Sequence, residues 1–266
     1  MRILVTGGAG FIGSFFTQMI LTGPNKNVYE KVTVVDALTY AGNLSNLSDI
    51  KSHEKFTFIE GNICSKDLMY ELIANHDIVI NFAAESHVDN SIRSSEEFLH
   101  SNIDGVYNIL ELLKQHSKKE GGICPVLLHF STDEVYGDID TGEHVETDIL
   151  KPSNPYSATK AAADQLILAW SRTYNIPYVI VRPTNNYGIG QYVEKLIPKS
   201  VKLLSLGRKI PLHNKGLSYR NWLHADDTAD AVITLIESGK IGEIYNVAGG
   251  FEQQNVETIK QVITEF

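Results

Sequence analysis

Short, almost wholly apolar runs separated by amphipathic stretches organise this chain. Ile3-Leu4-Val5, Lys31 to Asp36, Phe56 to Glu60, Asp77 to Phe82, Val126 to Phe130 and Tyr178 to Arg182 all have this character. Such runs suit strands buried on both faces. Between them, Lys66 to about Asn75, about Asn102 to Lys114 and the stretch carrying Tyr156 and Lys160 read as helices, the second with a Leu/Ile/Val face. The alternation predicts an α/β fold: a doubly wound parallel sheet. After Pro183 it lapses, and Asn185 to Arg220 is expected to form part of a smaller lobe. Trp222 to Ile236 reads as a return to the main body, Ile244 to Val247 as a short strand, and an amphipathic helix begins near Val256. The expected partition is 1–182 plus about 221–247 for the main domain, and about 183–220 plus 248–266 for the lobe. Lys118 to Gly122 reads as a surface loop, and the polar, proline-bearing 143–155 as a loop over the site.

The 266 residues are 43% hydrophobic and 21% charged, enough to bury a core. A net charge of -9 without a basic stripe argues against nucleic acid as a partner. Two cysteines, Cys64 and Cys124, with no Cys-x-x-Cys, argue against a disulfide scaffold and a structural zinc site, and no metal is expected. There is no leader pattern and no apolar run of membrane-spanning length, so a soluble cytoplasmic protein without a membrane partner is expected.

The first strand runs into Thr6-Gly7-Gly8-Ala9-Gly10-Phe11-Ile12-Gly13. Gly7, Gly10 and Gly13 permit a sharp turn and close approach of a pyrophosphate to a helix N-terminus. Asp36 ends the second strand 23 residues after Gly13, placed to accept hydrogen bonds from an adenosine ribose and to repel a 2′-phosphate. Turn and acid together point to a Rossmann-type domain binding NAD rather than NADP. Asn62 and Ile63 follow the third strand and could flank the adenine. Phe82, Ala83 and Ala84, at the end of the fourth, are mostly small enough for a flat cofactor to lie close. His87 is assigned no chemistry.

Past the fifth strand lies Ser131-Thr132-Asp133-Glu134-Val135-Tyr136-Gly137, and 22 residues after Glu134 comes Tyr156-Ser157-Ala158-Thr159-Lys160. Carboxyl ends of strands are where open α/β sheets bind ligands. Tyr156 and Lys160, four apart, project from one helix face, and the ammonium is expected to lower the tyrosine pKa and make it a base for a sugar hydroxyl. Adjacent Asp133 and Glu134 can hold different protonation states, because the charge of each raises the pKa of the other.

On these residues the chain resembles the extended short-chain dehydrogenase/reductases, and within them the nucleoside-diphosphate-glucose 4,6-dehydratases. The matching blocks are TGGAGFIG (6–13), DALTYAGN (36–43), NFAAESHVD (81–89), HFSTDEVYG (129–137), NPYSATKAAAD (154–164), RPTNNYG (182–188), EKLIP (194–198) and RNWLHADD (220–227). The Asp133-Glu134 pair sets this group apart from the epimerases. The resemblance implies NAD-dependent dehydration, with dTDP-glucose the first choice of substrate. Tyr156 would take the C4 hydroxyl proton, Thr132 would bond the same oxygen, Glu134 would remove the C5 proton, and Asp133 would protonate the departing C6 hydroxyl. It further implies that Phe11, Ile12, Asp36, Leu38, Thr39, Asn62, Ile63, Ser101, Lys160 and Asn186 hold NAD. Ser86, Thr132, Asn185, Lys195, Leu196, Pro211, His213, Arg220 and Asn255 would hold the nucleotide sugar, with Arg220 on the diphosphate. A homodimer built on Ile103 to Leu113 and Ala161 to Trp170 is implied, as is a lobe incomplete at its C-terminal end. The alternatives are a UDP- or other NDP-hexose as substrate, an NDP-sugar 4-epimerase, or a non-catalytic NAD-binding protein.

Overall fold

A computed structural model describes residues 1–24, 28–118, 124–139 and 141–266. The chain begins β1 (Arg2–Thr6), α1 (Phe11–Thr22), β2 (Lys31–Asp36), β3 (Phe56–Glu60), α2 (Lys66–Ala74) and β4 (Ile78–Asn81). Two short helices, α3 (Val88–Arg93) and α4 (Glu96–Leu99), precede α5 (Gly105–Ser117). Then come β5 (Val126–Phe130), α6 (Pro155–Tyr174) and β6 (Tyr178–Pro183). The remainder is β7 (Asn185–Tyr187), α7 (Leu196–Ser205), β8 (Tyr219–His224), α8 (Ala225–Ser238), β9 (Glu243–Val247), β10 (Phe251–Gln254) and α9 (Asn255–Glu265).

The apolar runs become a seven-stranded sheet of order β3-β2-β1-β4-β5-β6-β9, every pairing parallel. Each face buries its own apolar layer. Phe16 and Ile20 of α1 join Val232 and Ile233 of α8 beneath Ile3, Val5 and Val34. On the other face, Leu72 and Ile73 of α2, Ile109, Leu110, Leu112 and Leu113 of α5 and Ile167 of α6 pack on Leu4, Val79 and Ile180. The Leu/Ile/Val face of α5 therefore lies inside the core, while Tyr107 on the same helix is exposed.

Two features differ from expectation. The α-helix expected from about Asn102 begins at Gly105, behind a π-helical turn over His100–Asp104. Its cause is packing: Asn102 is buried, bonded to both backbone groups of Glu85 and to Thr159 Oγ1, and Gly105 rests directly on Ile63. The segment after Pro183 contains regular structure after all, a second sheet of order β10-β8-β7. β8 and β10 are antiparallel and β7 pairs parallel to β8, with Trp222 the partner of both Phe251 and Asn185. The residues after Lys118 in the expected surface loop 118–122 lie outside the described residues.

Candidate active site

The carboxyl ends of β1, β2, β4, β5 and β6 open onto one cavity of about 300 Å³. Its floor is the glycine-rich turn. Gly7 has φ +69°, and a Cβ there would stand 2.6 Å from the Ala83 amide nitrogen. At Gly13 a Cβ would stand 2.4 Å from the Gly7 carbonyl oxygen, where only backbone could yield. Glycine is thus required for α1 to start this close to the turn. Asp36 is buried at the rim. Its carboxylate accepts from the amides of Ala9 (2.9 Å) and Leu38 (2.8 Å), and Leu38 is held at φ +48°. Burial pushes this carboxyl upward and those amides pull it back only in part. Space above Gly42 is equally restricted, since a Cβ there would meet Asp36 Oδ1 at 2.7 Å. A turn with no room for side chains, a buried acid at its rim and the flush Phe82-Ala83-Ala84 wall fit a dinucleotide.

Gly7, Gly10, Phe11, Ile12, Gly13, Asp36, Thr39, Asn62, Ile63, Phe82, Ala83, Ala84, Ser101, Tyr156, Lys160 and Asn186 all line this cavity. So do Ser86, Thr132, Glu134, Asn185 and Lys195. Leu38 lies behind Asp36 rather than in the lining, packed on the core. Leu196, Pro211, His213, Arg220 and Asn255 stand outside it, with Pro211, His213 and Arg220 exposed. Asp133 is also outside the lining, and its carboxyl feels the charge of Arg220.

The catalytic candidates converge on the end of β5. Asp133–Tyr136 is a short 3₁₀ turn capped by Thr132, whose Oγ1 accepts from the Glu134 amide and donates to Asp133 Oδ1 (both 3.3 Å). Gly137 ends the turn at φ +88°. α6 opposes it with a capping box: Asn154 Oδ1 accepts from the Ser157 amide, Ser157 Oγ accepts from the Asn154 amide, and Pro155 takes the first helical position. The Asn154 side-chain amide also donates to Glu134 Oε2 (3.2 Å), so the helix cap holds the carboxylate. One residue on, the Tyr156 amide donates to Ser91 Oγ of α3 (3.1 Å), and the Thr132 hydroxyl acts on its phenol. Lys160 Nζ donates to the Phe130 carbonyl (2.7 Å) and lies 3.4 Å from His129 Nε2.

Burial pushes Asp133 up to about 6, helped by the charge of Glu134 and opposed by Thr132 and Arg220. Asp133 is thereby held toward its neutral form, as a proton donor in such a site requires. Tyr156 departs from the sequence reading. Its phenol is raised, not lowered, by burial first and by Glu134 next. Lys160 spends its proton on the Phe130 carbonyl and is itself drawn down to about 8 by burial.

The loop 143–155 was expected over the site but does not line the cavity. It packs beside β6 and β9 instead, with Glu146 Oε1 accepting from the Asn246 amide (2.8 Å) and the Lys151 amide donating to the Val135 carbonyl. Tyr192 and Glu194 of the cavity wall are tied to Tyr40, a pairing that the sequence alone does not show. Tyr40 Oη donates to Glu194 Oε1 (3.1 Å) and its ring meets Tyr192 edge-on at 5.2 Å. Beside them Lys195 Nζ donates to the Ser86 carbonyl (3.0 Å), and Glu85, raised by burial, also faces the cavity. His87 caps α3 through Nδ1, a structural role, with Nε2 3.8 Å from Glu194.

Fold and cavity together define a dinucleotide-binding protein of the Tyr-x-x-x-Lys type, with an adjacent Asp-Glu pair. The family model described as "NAD dependent epimerase/dehydratase family" matches residues 3–248, and the chain belongs to that family. The chain is 43% identical over 265 residues to the dTDP-glucose 4,6-dehydratase of Streptomyces niveus, covering 99% of this chain and 77% of that protein. It is also similar to a crystal structure of dTDP-glucose 4,6-dehydratase from Streptomyces venezuelae with NAD bound. The TM-score is 0.94 at 39% identity, covering 99% of this chain and 80% of that one. UDP-glucuronic acid 4-epimerase from Bacillus cereus, solved with UDP-glucuronic acid and NAD, aligns with TM-score 0.90 at 26% identity, covering 99% and 82%.

Proposed function

We propose that the protein catalyses NAD-dependent 4,6-dehydration of dTDP-glucose to dTDP-4-keto-6-deoxyglucose, a hydro-lyase step of deoxysugar biosynthesis. The observation that carries this reading is Asp133 and Glu134 on one turn beside Tyr156, with Asp133 held toward its neutral form. A 4-epimerase needs the tyrosine and NAD but not that pair. The dehydratase relatives, at about 40% identity, support the same choice over the epimerase at 26%.

The glycine turn, Asp36, Asn62, Ile63, Ser101 and Lys160 are the residues that would hold NAD. Bound there, NAD supplies the hydride acceptor for C4 and the donor for C6, and its cationic ring supplies the positive charge that favours a tyrosinate. Thr132 Oγ1 and Tyr156 Oη together address one substrate hydroxyl, and Tyr156 takes its proton. Glu134 removes the C5 proton, which a neighbouring ketone acidifies. Asp133 carries the proton that leaves with the C6 hydroxyl as water. Lys195, Arg220 and Asn255 belong to the layer around the second sheet, which in this reading is the nucleotide-sugar lobe. Arg220 there serves the diphosphate and faces Asp133.

The reading extends to assembly and location. Exposed Tyr107 on α5, with Trp170 on α6 edge-on to it at 5.9 Å, supports a homodimer through these two helices. Among the described residues no helix is long and apolar enough to cross a membrane, which is compatible with a cytoplasmic enzyme. The test is incubation with dTDP-glucose and, separately, UDP-glucose in deuterated water. A 4-keto-6-deoxy product labelled at C5 from dTDP-glucose is expected. Product from UDP-glucose alone would reassign the nucleotide, and unlabelled C4 epimer would overturn the dehydratase reading.

A further inference from the structure

Tyr156, Lys160 and Asp164 follow one another at four-residue spacing along α6, so Asp164 lies one turn below the lysine. It is wholly buried. Oδ2 accepts from Arg182 Nε at 2.9 Å, whereas Oδ1 has no hydrogen-bond partner and stands 4.0 Å from His129 Nε2. That same His129 nitrogen is 3.4 Å from Lys160 Nζ. The ring is fully buried, next to the lysine cation, and both influences keep it neutral. Asp164 is therefore the anion that binds one buried cation, Arg182, and whose charge acts on a second, Lys160.

Arg182 leads to the other half of the site. Its Nη1 donates to Tyr136 Oη (2.7 Å), and its guanidinium lies 4.9 Å from the centre of the Tyr136 ring. Tyr136 Oη in turn donates to Asn246 Oδ1 of β9 (2.8 Å). Tyr136 is the last residue of the turn that carries Asp133 and Glu134. One carboxylate thus connects the lysine under the cofactor cavity with the anchor of the acid–base turn.

We propose that Asp164 is a positioning residue for both halves of the reaction. Through its charge it keeps Lys160 an ammonium, and through Arg182 and Tyr136 it fixes the turn bearing Asp133 and Glu134. The inference rests on the dehydratase reading and adds to it a residue that reaches the reacting groups only through others. The groups facing Lys160 are Tyr156 and Asp164 on α6, His129 on β5, Glu134 across the tyrosine, and Arg182 on β6 beyond Asp164. Of these, Asp164 is the one whose charge supports the ammonium directly. Without it, the lysine should release its proton at lower pH, by about one unit for the loss of one neighbouring opposite charge.

Asp164→Asn removes the charge while keeping an oxygen for Arg182 Nε, and Asp164→Glu keeps the charge. Lys160 is followed by NMR of ¹³C-labelled lysine, with Lys160→Met assigning its resonance and thermal unfolding confirming the fold. The two half-reactions are read separately, as the transient absorbance of reduced nicotinamide and as deuterium uptake at C5. The expected result for Asp164→Asn is a Lys160 midpoint lower by about one unit. Its nicotinamide reduction should be slowed at pH 8 and largely recovered at pH 6, and Asp164→Glu should keep the midpoint near that of the parent protein. Tyr136→Phe, which retains the ring, should slow C5 exchange several-fold and leave the Lys160 midpoint in place. An unchanged midpoint in Asp164→Asn, or equal slowing of both half-reactions at every pH, overturns the first arm. Unaltered exchange in Tyr136→Phe overturns the second. If the parent protein shows neither absorbance nor exchange with any nucleotide sugar, the functional reading has failed, and the lysine titration still decides the role of Asp164.

Discussion

Replacing Asp133 by Asn should make the protein more stable as well as less active. The Asp133 carboxyl is pushed from 3.8 up to about 6, first by burial and then by the charge of Glu134. A carboxyl with a raised pKa binds its proton more tightly folded than unfolded. Its stabilising contribution is fully present below about pH 4 and is lost as the pH rises through about 6. Two units at about 1.4 kcal/mol each put the penalty at pH 8 near 3 kcal/mol. Partial contact with water makes this an upper limit. Asn keeps an oxygen for the Thr132 hydroxyl and carries no charge to desolvate. With about 2 cal/mol/K of unfolding entropy per residue, the gain approaches 5 °C in Tm at pH 8. It should shrink at pH 6 and vanish near pH 4. Scanning calorimetry of the two proteins at these three pH values is the measurement, since their difference cancels all other titrations. Formation of the 4-keto-6-deoxy product should meanwhile fall by about a hundredfold or more, because the acid for the C6 hydroxyl is lost. A variant no more stable than its parent at pH 8, or more stable by the same amount at every pH, would show that Asp133 is not strained by its own ionisation.

Gly13→Ala forces a methyl against the Gly7 carbonyl and should cost about 1–3 kcal/mol of stability together with most of the bound NAD, measured as dinucleotide released on denaturation. Asp36→Ala removes the acceptor of the Ala9 and Leu38 amides. Calorimetric titration should show NAD affinity reduced by about ten- to a hundredfold, at about 1.5–3 kcal/mol for hydrogen bonds to a charged group, and weaker discrimination against NADP. Asn154→Ala loses the cap of α6, worth about 1 kcal/mol by denaturant unfolding, and also releases Glu134, so C5 exchange should slow more than nicotinamide reduction. Tyr40→Phe cuts the bond to Glu194 and leaves the ring contact with Tyr192, so stability should change by less than about 1 kcal/mol while NAD dissociates a few-fold faster in stopped-flow exchange.

The parts legible in the sequence are those written by neighbours along the chain. β2, β3 and β5 fall on their apolar runs, and Tyr156 and Lys160 share a helix face because four residues make one turn. The glycine turn is legible because only glycine tolerates backbone at such short range. What escaped depends on partners distant in the chain. The start of α5 is set by Asn102 reaching Glu85 and Thr159, not by its own periodicity. β7, β8 and β10 are short and of mixed polarity, so alternation does not reveal them. The bridge from Tyr40 to Glu194 spans 154 positions. The raised tyrosine pKa is hidden from the sequence for a related reason. Sequence spacing shows the neighbouring lysine but hides the burial and the Glu134 charge that outweigh it.

The sheet order also constrains how the chain can be made. β6 lies inside the seven-stranded sheet only because β9 pairs with its outer side. During synthesis β6 emerges first, and the second sheet's β7 and β8, with α7 and α8, must all follow before Glu243–Val247 appears. Until then Tyr178–Pro183, buried along its whole length in the finished protein, is an apolar strand with an open edge. A nascent chain held at this stage is a template for pairing with other chains, and chaperone demand should peak there. Slowing translation between residues 184 and 242 should therefore lower soluble yield far more than slowing it after residue 247.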